Sequence, residues 1–125
     1  MPFQFVLANL LADHPDAIGV VFIDDSGETV DFACVDDSPF EMQLIGAYLG
    51  IYLRQVRAIL EKANLGEVCW LHIERRHRHF HVAVLPDGYC LALVQREGGQ
   101  VAATREKLRQ AARQIAREVF RAELA

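Results

Sequence analysis

With 125 residues and 14.1 kDa, the chain has the length of a single domain, 1–125, and little room for a second. A composition of 52% hydrophobic and 24% charged residues, with 8 Gly and 4 Pro, excludes a disordered tail and a collagen-like fibre. The net charge of −4 hides a division: residues 1–50 carry nine acids and no Lys or Arg, and residues 51–125 carry thirteen bases and eight acids, so the two parts stand at −9 and +5. Such polarity can steer a partner without identifying it.

In chain order, Phe3, Val6, Leu7, Leu10 and Leu11 recur at intervals of three and four, which predicts a short amphipathic helix closed by Pro15. The segment lacks the basic flank of a secretory signal and runs into Asp13-His14-Pro15, so it reads as structure. Ala17–Ile23 is continuously apolar, as an inner strand covered on both faces would be. Asp25-Ser26-Gly27 turns it into a second strand over residues 29–35, which exposes Asp31 and so lies nearer an edge. Asp24, Asp25 and Glu28 resemble a calcium loop only superficially, because the regular oxygen spacing and the later Glu are missing; they read as turn residues.

Ser38-Pro39-Phe40-Glu41 has the form of a capping box with Pro at the first helical position. A long helix should start there and run to Asn64, with Gly66 as its stop: about 26 residues and about 39 Å. Extended segments follow over 67–74, 79–85 and 89–95, separated by Arg75-Arg76-His77-Arg78 and Pro86-Asp87-Gly88, and form an antiparallel meander. Leu108, Ala111, Ala112, Ile115 and Val119 mark the apolar face of a terminal helix. The expected order is α-β-β-α-β-β-β-α, in the α/β (α+β) class. The most apolar stretch, 42–53, is interrupted by Gln43 and is shorter than the roughly 20 residues a bilayer span needs, so no membrane insertion is expected. Cys34, Cys69 and Cys90 are odd in number and form no C-x-x-C, which fits reduced thiols and a cytoplasmic location.

Four features carry the resemblance to a known family: the element order, "LLADHPDAIGVVFIDDSGETV" (10–30), the capped helix from Ser38, and "VAVLPDGYCLALV" (82–94) before the last helix. Together they resemble the roadblock family, also called dynein light chain 7 domains, and in particular its stand-alone bacterial members. The resemblance implies a five-stranded antiparallel sheet with the long helix on one face and the two terminal helices on the other. It also implies homodimers joined through the long helix and the third strand, which bind Ras-like small GTPases or serve as scaffolds, without a catalytic constellation of their own.

Around the long helix, Ile45, Leu49, Tyr52, Val56, Ile59 and Ala63 form a bulky stripe expected to cover the sheet. The opposite stripe gathers Gln43, Gly46, Ala47, Gly50, Arg54, Arg57 and Glu61. Two helix-interior glycines, each costing roughly 1 kcal/mol relative to Ala, suggest that another backbone comes close. A two-fold dimer through Gln43, Gly46, Ala47, Gly50, Arg54 and Arg57 is therefore expected; the plainer alternative is that the glycines fit the chain's own sheet. Arg54 and Arg57 are weak arginine-finger candidates, since such a dimer would consume both.

Four of the five histidines cluster at 72–81. A hairpin centred between Arg76 and His77 sets His72 opposite His81 and Glu74 opposite His79 on one face, a set that could hold zinc, nickel or copper. A solvated hairpin end is the plainer reading, and one register slip would scatter the set. Arg105, Arg109, Arg113, Arg117 and Arg121 form an i+4 ridge that could bind phosphate or an acidic surface but more commonly marks a solvated face; no array of aromatics supports nucleic-acid binding. The sequence holds no Walker loop, G-x-S-x-G or dinucleotide fingerprint, so no cofactor is expected and a GTPase would have to be another polypeptide. The reading that results is a homodimeric module that regulates or scaffolds a Ras-like small GTPase by binding. Its alternatives are a sensory domain binding a metal or ligand near His72, His79 and His81, and an assembly adaptor with a non-GTPase partner.

Overall fold

The computed structural model describes residues 2–35 and 38–124. Its elements are α1 (Pro2–Ala12), β1 (Ala17–Ile23), β2 (Thr29–Cys34), α2 (Pro39–Lys62), β3 (Trp70–Arg75), β4 (Arg78–Val84), the short 3-10 turn Pro86–Gly88, β5 (Cys90–Arg96) and α3 (Val101–Val119). The expected order holds. The strands form one antiparallel sheet in the order β2-β1-β5-β4-β3, which places β1 inside and β2 and β3 at the edges.

Alternation along β1 explains the two layers. Val20 and Phe22 point to one face and meet Phe3 and Leu7 of α1 and Leu108 and Ile115 of α3. Val21 and Ile23 point to the other and meet Met42, Leu49 and Leu53 of α2. All seven residues of β1 are buried, as their unbroken apolar run requires. The long helix thus covers one face and the terminal helices the other. Among the described residues, no helix is long and apolar enough to cross a membrane.

Local chemistry fixes the ends of α2. Ser38 Oγ accepts the Glu41 backbone N–H at 3.1 Å, the capping contact its position requires. At the other end the helix stops at Lys62, two residues before the expected Asn64. Asn64 takes φ 56°, its N–H bonding to Glu61 O, and the Leu65 N–H bonds to Leu60 O at 2.8 Å. These paired bonds satisfy the last carbonyls with Asn64 in the left-handed position, so Asn64 and not Gly66 forms the stop.

At the β1–β2 turn, Asp24 accepts hydrogen bonds from the Glu28 and Ser26 backbone N–H groups and from Ser26 Oγ. These bonds, that from Glu28 foremost, hold its carboxyl below the usual carboxylate range. Asp24 thus closes the turn, the role its position predicts.

Candidate interaction surface

The inward side of α2 is not the one the sequence suggests. Its buried residues are Met42, Gly46, Leu49, Gly50 and Leu53. A Cβ on Gly46 would lie 3.2 Å from Val21 Cγ2 and 3.3 Å from Ile23 Cδ1; one on Gly50 would lie 3.6 Å from the Gly27 Cα. The close approach that the glycines signal is therefore to β1 and the β1–β2 turn of the same chain. At 100° per residue the buried arc is turned roughly 80° from the expected stripe. Leu49 lies within it, whereas Tyr52 and Ile59 face solvent.

The remaining members of the expected interface divide. Gln43 is exposed and Ala47 half-buried. Arg54 and Arg57 reach over the loops of their own chain: Arg54 Nη1 lies 3.5 Å from the Asp25 carbonyl, and Arg57 Nη1 lies 4.0 Å from where a Gly88 Cβ would stand.

α2 also presents apolar side chains outward, beside the exposed Glu41, Gln55 and Lys62. Phe40, Leu44, Tyr48, Ile51, Tyr52 and Ile59 are all exposed, at 69% for Phe40, 53% for Tyr48 and 63% for Ile59. At helical spacing Leu44, Tyr48, Ile51, Tyr52 and Ile59 fall within one arc of roughly 100°. Apolar exposure gathered on one face makes α2 a candidate interaction surface. α2 lies chiefly over β1 and β2, so on the same side of the sheet Leu71 and Ile73 of β3 and Phe80 of β4 are only half-covered. Beyond them β3 is an edge strand, able to pair with another chain.

The histidine register is the expected one: His72 pairs with His81, and Glu74 with His79. The rings of His72 and His81 stack at 4.7 Å, and His72 Nε2 lies 3.1 Å from His79 Nδ1. This arrangement is a stack and not a ligand cage; among the described residues no group of three or more His, Cys, Asp or Glu side chains could hold a metal ion. His81 is fully buried and its Nε2–H donates to Gln95 Oε1 at 2.7 Å. Burial pushes its pKa down to about 4, against the weaker upward pull of the Gln95 bond, and so keeps the ring neutral. His77 stands apart, 3.0 Å from Glu97 at the exposed hairpin end.

The ridge on α3 is not a simple solvated face. The Arg105 and Arg109 guanidiniums lie 5.4 and 5.5 Å from the centroid of the Trp70 ring. Arg121 lies beyond the end of α3. The sequence did not pair Trp70 with these arginines, because a β3 residue and an α3 residue meet only once the sheet is assembled.

No protein-family model matches this chain, and no curated protein does. Similar solved structures do exist. A Roadblock/LC7 domain from Streptomyces avermitilis superposes with a TM-score of 0.81 at 16% identity, over 93% of this chain and 96% of that one. Myxococcus xanthus MglB gives 0.85 at 12% identity, over 97% and 96%. Myxococcus xanthus MglC gives 0.67 at 23% identity, over 95% and 100%. The chain has the roadblock fold, as the sequence resemblance implies.

Proposed function

We propose that this chain is a homodimeric interaction module that regulates or scaffolds a Ras-like small GTPase by binding, with no catalytic residue of its own. The observation that carries the reading is the exposed apolar face of α2 on a roadblock fold. Roadblock domains are expected to pair through the long helix and the third strand, and here those two elements hold the exposed apolar side chains and a free strand edge. An MglB structure with a TM-score of 0.82 to this chain has a tetrameric arrangement, which supports self-association of a chain with this fold. Burying the Tyr48, Ile51 and Tyr52 side chains against a second copy removes apolar area from water, the main driving force for such pairing.

The dimer would act on a GTPase by favouring one conformation of its switch segments. Any acceleration of hydrolysis then comes from repositioning the GTPase's own residues. The polarity of the chain, acidic before residue 51 and basic after it, adds long-range steering to that encounter.

Two measurements test the reading. Light scattering should report twice 14.1 kDa for the wild-type chain at micromolar concentration, and Ile51→Glu should weaken the dimer by roughly 30-fold without lowering helix content. A wild type that runs as one subunit removes the dimer. Affinity capture from native extract, with GDP and with a non-hydrolysable GTP analogue, should recover a GTPase in only one nucleotide state. Recovery of a non-GTPase partner alone would make the module an assembly adaptor instead.

A further inference from the structure

A cavity of about 480 Å³ lies between α3 and the β3–β4 end of the sheet, on the side opposite α2. We propose that it binds a small organic anion with an apolar body, such as an aromatic or aliphatic carboxylate or sulfonate. The volume is in the range of small-molecule sites, roughly 300–1,000 Å³.

Charge is the first argument. Arg105, Arg109 and Arg113 all line the cavity, spaced one helical turn apart. Like charges at that spacing repel. Among the described residues none of the three forms an ion pair, and Glu67, the one acid in the lining, pairs with none of them. A single bound anion would relieve the repulsion and accept paired N–H donors from guanidinium groups.

Unsatisfied hydrogen bonding is the second. Trp70 Nε1 and Arg109 Nε are buried and, among the described residues, have no acceptor. Both residues line the cavity, and both atoms are donors only, so the missing partner is an acceptor. The rest of the wall is mostly apolar, with Val68, Leu85 and Leu124 beside the Trp70 ring. An inorganic anion would leave that wall uncovered, and a neutral hydrocarbon would leave the cations and donors unpaired. The combination selects a ligand with both parts. A nucleic acid strand does not fit, since the single Trp in the chain is already stacked under two guanidiniums.

The single tryptophan supplies a local readout. Titration with 1-anilinonaphthalene-8-sulfonate should quench Trp70 emission saturably and shift the Trp70 indole N–H resonance in the wild-type protein. The uncharged N-phenyl-1-naphthylamine should bind at least about tenfold more weakly, and Arg113→Gln and Arg109→Gln should each weaken the sulfonate by about tenfold or more. Arg113 does not stack on Trp70, so its variant tests charge with the ring's packing intact. Sulfonate binding that leaves the indole resonance unmoved would overturn the proposal. So would equal affinity for the neutral dye, or indifference to both arginine substitutions.

Discussion

Gly46→Leu is expected to destabilise the chain by about 3 kcal/mol, read as a lower urea midpoint with an unchanged slope. The first added carbon would already stand 3.2 and 3.3 Å from the two methyls of Val21 and 3.3 Å from Ile23 Cδ1. Those neighbours sit on β1, which is fully buried between β2 and β5, and β-branched side chains there have little rotamer freedom to yield. Leu adds three more carbons beyond that point. Removing a helix-interior glycine returns roughly 1 kcal/mol, which offsets only part of the overpacking.

Gly50→Ala should behave oppositely. Its added methyl finds Gly27 Cα at 3.6 Å and Ile23 Cγ2 at 3.8 Å, ordinary contact distances, so the helix-propensity gain of up to about 1 kcal/mol should show as a higher midpoint. Repeating the titrations at several protein concentrations separates folding from association, because only a coupled dimer makes the midpoint depend on concentration. If Gly46→Leu lowered the solution mass while leaving the midpoint of the dilute chain unchanged, the glycine face would be an intermolecular surface and the inward orientation of α2 would be wrong.

The contrast between those glycines shows what was legible beforehand. Strand order in the sequence, the Ser38 cap and the β3–β4 register all follow from local patterns: an unbroken apolar run, a hydroxyl before Pro and Glu, and a hairpin whose centre fixes every pair. The phase of α2 does not. Leu44, Ile45, Tyr48, Leu49, Ile51, Tyr52 and Leu53 spread apolar side chains around most of the helix, as expected of one wrapped by its own sheet on one side and exposed on the other. A glycine pair reports that some backbone is near but not which one, and here it is the chain's own β1 and β1–β2 turn. The α3 cavity was illegible for a similar reason. Arg105 and Trp70 are far apart in sequence, and nothing periodic links a strand residue to a helix that packs across its face. The i+4 spacing put the arginines on one face without showing that the face looks onto an indole.

The histidine row yields a second large effect, in the pH dependence of stability. His81 has a folded pKa of about 4 against 6.5 for an ordinary imidazole, lowered by burial first and opposed by its bond to Gln95. Between those values the unfolded chain binds a proton that the folded chain refuses, so stability is fully present above pH 6.5 and is lost as pH falls toward 4. The linkage amounts to about 2 kcal/mol between pH 7 and pH 5. His72, held below its ordinary value by burial and by the neighbouring His79, pushes in the same direction more weakly because it is exposed. Ordinary carboxylates titrate mostly below this window, and Asp24 lower still, so the slope belongs chiefly to the imidazoles. Urea unfolding at pH 7, 6 and 5 should therefore show a falling midpoint for the wild type and a much flatter one for His81→Gln, which has no proton to refuse. A wild type equally stable at pH 7 and 5 would mean that the His81 ring is charged, or solvated, inside the fold.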